Sequence, residues 1–145
     1  MDNIEIMTSG LTIQEEDKKS VLQLAMDLDR RWNERDAGLF ADLFETYGDF
    51  RFQNGFWIVG KKSIEEFWRN QVFPGLAEGV RHEVTAKRVR FVTDNVAIGD
   101  GTIRIIDLIE GRERVHMSTE VTVLVVKKDG RWYISAARLT DLVPE

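Results

Sequence analysis

From Val80 to Thr140 the chain alternates between apolar and polar positions in long runs, which turn residues divide into Val80–Thr93, Val96–Glu110, Arg114–Lys127 and Arg131–Thr140. Successive side chains of a strand point to opposite faces, so these runs predict four long strands in an antiparallel meander. Asp129-Gly130 marks the sharpest turn, since both central residues of a tight hairpin need positive φ. In the first run His82, Val84 and Ala86 alternate with Arg81, Glu83, Thr85 and Lys87, which puts the histidine on the inner face. In the third run Val115, Met117, Thr119, Val121, Val123 and Val125 share a face, and Leu124 and Val126 make the end of the other face apolar as well. That outer patch calls for cover: a homodimer through the outer sheet face would supply it, and so would a helix or the C-terminal tail.

Ahead of the meander the apolar period changes to that of a helix. Thr12-Ile13-Gln14-Glu15 has capping-box spacing, and Val21, Leu24, Ala25, Leu28 and Trp32 then form one buried stripe that ends near Arg35. Leu22 and Met26 widen it, and Asp29 and Asn33 continue that side toward the rim of whatever the helix covers. Asp36 caps a short second helix carrying Leu39, Phe40, Leu43 and Phe44. Phe50 and Phe52 alternate with Arg51 and Gln53 before an Asn54-Gly55 turn, and Phe56–Val59 returns as a small hairpin. Ser63-Ile64-Glu65-Glu66 is a second capping box opening a third helix, which Pro74-Gly75 stops. Helices segregated from an antiparallel sheet give the α+β class. Residues 1–11 read as a flexible N-terminal tail and 12–145 as one domain.

Composition narrows the choices. At 145 residues the chain can bury a core without staples. It has no cysteine, which removes disulfides, thiolate metal sites and a cysteine nucleophile and is compatible with the cytoplasm, the expected location. A net charge of −5 argues against nucleic-acid binding, and no apolar run approaches the ~20 residues of a membrane span.

Several stretches carry a family resemblance. They are Trp32-Asn33-Glu34-Arg35-Asp36 with Leu43-Phe44, Asn54-Gly55 to Gly60-Lys61-Lys62-Ser63-Ile64, Val89-Arg90-Phe91 to Val96-Ala97-Ile98, and Val123 to Ala137 with Thr140. In order and spacing the chain resembles the nuclear transport factor 2-like superfamily, whose members include ketosteroid isomerase, scytalone dehydratase and SnoaL-type polyketide cyclases. It is most similar there to the small SnoaL-like and SgcJ/EcaC-type proteins. The resemblance implies a cone-shaped curved antiparallel sheet packed on three helices (the cystatin-like fold), an apolar cavity at the wide end, and usually a dimer. It covers enzymes, ligand binders and assembly modules alike, so function has to come from the site.

The large apolar groups suit such a cavity, with Trp32, Phe52, Trp57, Phe67 and Met117 as its substrate-binding wall; the same groups would also fill a solid core. His82 is the leading candidate for proton transfer, with a core histidine bonded to a carbonyl as its bland alternative. Arg138 shares a strand face with Trp132, Ile134 and Ala136, where a guanidinium would bind an anionic oxygen or pair with a carboxylate. Relatives often have histidine or asparagine in that part of the last strand. Asp49, the second catalytic candidate for proton transfer beside His82, stands where relatives commonly place an acid, although alternation with Phe50 and Phe52 turns it away from them. Asp29, Asp100 and Asp107 carry no stronger signal. His82-Glu83 lacks the second histidine of a zinc-protease helix, Gly99-Asp100-Gly101 is no dinucleotide loop, and no metal or cofactor is expected. The expected function is binding of a small apolar or aromatic molecule, with cofactor-independent isomerase, cyclase or dehydratase chemistry if the protein is an enzyme. The rival is a non-catalytic dimeric module with a filled core.

Overall fold

A computed structural model of the chain describes residues 3–142. Its elements run β1 (Glu5–Met7), α1 (Glu15–Asn33), α2 (Ala37–Ala41), β2 (Phe44–Arg51), β3 (Trp57–Val59), α3 (Lys61–Phe67), β4 (Arg81–Thr93), β5 (Val96–Ile109), β6 (Arg112–Lys128) and β7 (Arg131–Asp141). The four meander strands form within two residues of the expected ends. Asp129 and Gly130 both take positive φ, 50° and 77°, and so do Glu110 and Gly111 at the preceding hairpin. The three helices pack on one seven-stranded curved sheet of order β1-β4-β5-β6-β7-β2-β3. That sheet is mixed, because β1 joins β4 and β2 joins β7 in parallel. Among the described residues no helix is long and apolar enough to cross a membrane.

Curvature comes from places where one strand carries an extra residue. Lys87 and Val92 are extra in β4, His116 in β6 and Ser135 in β7. Each such bulge bends its strand and shifts the in-out phase of the residues beyond it. Beyond Lys87 the inward set of β4 becomes Val89 and Phe91; beyond His116 toward the hairpin tip, Val115 turns out and is half exposed. Gly101 lies beside the Lys87 bulge, where a Cβ would overlap the Thr85 carbonyl oxygen. The glycine-rich stretch of β5 thus serves strand packing.

The helix starts differ from expectation. α1 opens at Glu15 with no side-chain cap, and its first turn carries Glu15, Glu16 and Asp17, whose charges suit the positive end of the helix dipole. α3 opens from Gly60 at φ 96°, so Ser63 lies inside the first turn and is no cap. Asp36 does cap α2, accepting from the Leu39 amide at 3.0 Å. Phe44 begins β2 instead of continuing that helix. The expected tail contains a short strand: Glu5–Met7 pairs with Arg88–Arg90 at the sheet edge. Residues 1–2 of that tail and 143–145 of the expected domain lie outside the described residues.

Helix α1 crosses the concave face and buries Val21, Leu24 and Trp32 against it. Trp132 Nε1 donates to Asp17 Oδ1 at 2.9 Å, and Lys127 Nζ reaches the same oxygen at 3.0 Å, which pins the start of α1 to β6 and β7. The Trp132 bond, aided by Lys127, holds the Asp17 carboxyl below the usual aspartate range.

Candidate functional site

The far end of α1 determines where His82 sits. Arg35, at φ 57°, donates from its guanidinium to the carbonyls of Leu76, Ala77 and Val80, tying the 76–80 loop to the end of the helix. Asn33 then clamps the first residues of β4: its Oδ1 accepts from the His82 amide at 2.8 Å and its Nδ2 donates to the His82 carbonyl at 3.0 Å. Trp32 stacks on the imidazole with ring centroids 5.0 Å apart. Trp32, Asn33 and Arg35 therefore act together to position one histidine.

One turn earlier on the same helix, Asp29 Oδ1 lies 2.7 Å from His82 Nδ1, and both carboxylate oxygens accept from the Val84 amide at 2.9 Å. A carboxylate only accepts, so Nδ1 carries a proton, and in the neutral imidazole Nε2 keeps its lone pair. His82 is 7% exposed and forms part of two spaces at once. On one side is an apolar void of about 90 Å³, walled by groups including Trp32, Phe50, Phe52, Trp68 and Met117. It adjoins a second void of about 60 Å³ under α1, sharing Leu28, Ile103, Val121, Val123 and Ile134. On the other side is a polar cleft of about 970 Å³ that includes Asp29, Asn33, Glu83 and Asp107. A histidine shared by an apolar chamber and a polar cleft can pass a proton between them.

The expected site residues divide into two groups. Trp32, Phe52, Met117 and His82 meet around the chamber. Phe67 packs behind that wall, against Phe52 and Trp68. Arg138, Asp49 and Trp57 form a separate cluster on the outer face. The extra residue Ser135 shifts β7 by one, so Ala137 and Leu139 point inward and Arg138 outward, correcting the alternation read from Trp132, Ile134 and Ala136. There Arg138 pairs with Asp49, and its guanidinium lies 5.0 Å from the ring centre of Trp57, which is half exposed. Asp49 does turn away from Phe50 and Phe52, as its alternation indicated. Asp29 is the member that sequence reasoning passed over as a site residue; helical spacing had brought it to the rim without naming its partner.

Asp107, across the cleft, is 6% exposed and takes a two-pronged bond from Arg114 at 3.0 and 2.6 Å, with His116 Nε2 at 3.2 Å. Arg114 first, then His116, keep its carboxyl below the ordinary range. Among the described residues no group of three or more histidine, aspartate or glutamate side chains could hold a metal ion.

The sequence profile of the SnoaL-like domain matches residues 14–138. No curated protein matches the chain. A domain of unknown function with a cystatin-like fold from Nostoc punctiforme is similar at TM-score 0.79 and 24% identity, over 90% of this chain and 80% of its own. A nuclear transport factor 2-like protein with a cystatin-like fold from Novosphingobium aromaticivorans gives TM-score 0.80 at 17% identity, over 90% and 84%. Aln2 from a Streptomyces species gives 0.76 at 20%, over 90% and 94%. At these identities the likeness establishes the fold.

Proposed function

The chain belongs to the SnoaL-like domain family, and we propose that it is a cofactor-independent enzyme in which His82, held by Asp29, removes a proton from a small, largely apolar substrate in the interior chamber. The observation that carries this reading is the 2.7 Å contact between His82 Nδ1 and Asp29 Oδ1, which leaves Nε2 as the free ring nitrogen of a histidine that lines an apolar void. When a carbon acid loses its proton to Nε2, the electron pair moves onto an adjacent carbonyl, giving an enolate for isomerisation or cyclisation, or it expels a leaving group as in dehydration. Asp29 stabilises the imidazolium that forms, and the aromatic wall keeps water from competing.

The test follows proton removal itself. A panel of small cyclic ketones is incubated with the protein in D2O, and loss of the α-proton signal is read by NMR. Exchange on at least one ketone should fall about 10²–10⁴-fold in His82→Gln, and Asp29→Asn should lose a large part of the same factor. Exchange that survives in His82→Gln would contradict the assignment.

The homodimer is part of the proposal. Ile98 pairs with Leu124 and Val96 with Val126 across β5 and β6, and Ile98, Leu124 and Val126 are half-buried apolar groups on the outer face that a second copy would cover.

A further inference from the structure

The chamber wall holds a polar atom for which the described residues offer no partner. Trp68 is 3% exposed and lines the void, yet its Nε1–H meets no acceptor. Leaving a buried donor unpaired is costly, and buried tryptophans usually find a partner. Trp132 shows the usual solution, giving its N–H to Asp17. Thr119, fully buried between the chamber residues Met117 and Val121, also has an unpaired Oγ1.

The surroundings of Trp68 explain why its donor stays unpaired. Phe40 and Phe50 each lie 4.9 Å from it by ring centroid, and Phe52 stacks on it at 5.8 Å. These rings offer no conventional acceptor. At Trp68 the helix α3 also gives way to a π-helical turn, Trp68–Val72, a distortion that occurs mostly at functional sites. A costly orphan donor, held rigid by aromatic rings on the wall of a void, is arranged for something that enters the void.

We infer that Trp68 is a ligand-binding residue whose Nε1–H receives the carbonyl oxygen of a small neutral cyclic ketone or enone in the chamber. The ligand is neutral because no lysine or arginine lines the void beside Trp68, where a carboxylate would be buried without a counter-charge; Arg88 lines only the adjoining void, which Asp100 lines as well. It is about one six-membered ring in size: adjoining voids of about 60 and 90 Å³ compare with the ~150 Å³ apolar cavity that accepts benzene in another protein. This deepens the proton-abstraction reading and rests on the same chamber.

Two probes of one shape separate the donor's role from simple apolar filling: cyclohexanone, and methylenecyclohexane, which replaces the oxygen by CH₂. Both are titrated into the ¹⁵N-labelled protein, whose four tryptophans give separate indole signals. Cyclohexanone should move the Trp68 indole N–H downfield while methylenecyclohexane leaves it nearly in place. In Trp68→Phe the ketone's affinity relative to the alkene should drop about fivefold, the worth of one net hydrogen bond. If both probes bind with no indole shift and an unchanged ratio, the inference fails while His82 as base stands or falls by the exchange experiment. If neither binds, the chamber is not a ligand site and the inference fails with it. Should Trp68→Phe not fold, the native protein's indole signal, assigned through its contacts with Phe40, still decides.

Discussion

Among single residues, the pairing of atoms decides how much freedom His82 keeps. Asn33 fixes the backbone of His82, Trp32 fixes the plane of its ring, and Asp29 fixes its tautomer, so the imidazole has little freedom left. Two constraints on the side chain and one on its backbone exceed what a filler of the core needs. They are what a base needs, because a proton acceptor must be held within hydrogen-bond reach of the bond it breaks. The same accounting gives a prediction at Thr119, whose hydroxyl is wholly buried and unpaired. Thr119→Val keeps the shape and removes the cost of an unsatisfied polar atom, so it should stabilise the free protein by about 1 kcal/mol. Urea denaturation would check it, and a loss of stability would mean that the hydroxyl has a partner in solution.

At the scale of elements, the register of the strands decides which side chains reach the chamber. Strand lengths and hairpins were legible in the sequence, because a period of two bounded by Asp129-Gly130 admits little else. The bulges were not. An extra residue such as Ser135 leaves the local pattern plausible on either phase, so Arg138 reads as inward beside Trp132 and Ile134 although it pairs with Asp49 outside. Asp29 shows the other gap. Helical spacing brings it to the rim, but its bond to His82 spans 53 residues and depends on how α1 crosses β4. The fixing of α1 can be tested by acid. Trp132 and Lys127 lower the Asp17 carboxyl in the folded protein, so in the acid range the unfolded chain binds more protons there. Its contribution should be complete above the ordinary aspartate pKa of about 3.9 and fade as pH falls through and below it. Asp17→Asn should thus cost about 1 kcal/mol at neutral pH, with the two stability curves converging below about pH 4. A difference independent of pH would show that the carboxylate charge is not what anchors the helix.

For the whole molecule, the curved sheet, its three helices and the interior voids combine into a site of which no single element holds more than a part. α1 supplies Asp29, Trp32 and Asn33, β4 supplies His82, and the turn after α3 supplies Trp68. The proposed homodimer would use the outer face. If a second copy covers Leu124 and Val126, light scattering should give twice the chain mass, and Leu124→Lys should return the monomer without loss of fold. A monomeric native protein at micromolar concentration would remove the dimer from the proposal. Whether Asp29 prepares His82 as a base is read from the tautomers of the two histidines in a long-range ¹H–¹⁵N spectrum at neutral pH. His82 bonds Asp29 through Nδ1, and His116 bonds Asp107 through Nε2, so when neutral the two should show opposite tautomers. A proton on Nδ1 of His82 and on Nε2 of His116 is the predicted result. A proton on Nε2 of neutral His82 would put its lone pair on Nδ1, against Asp29, and would contradict this role.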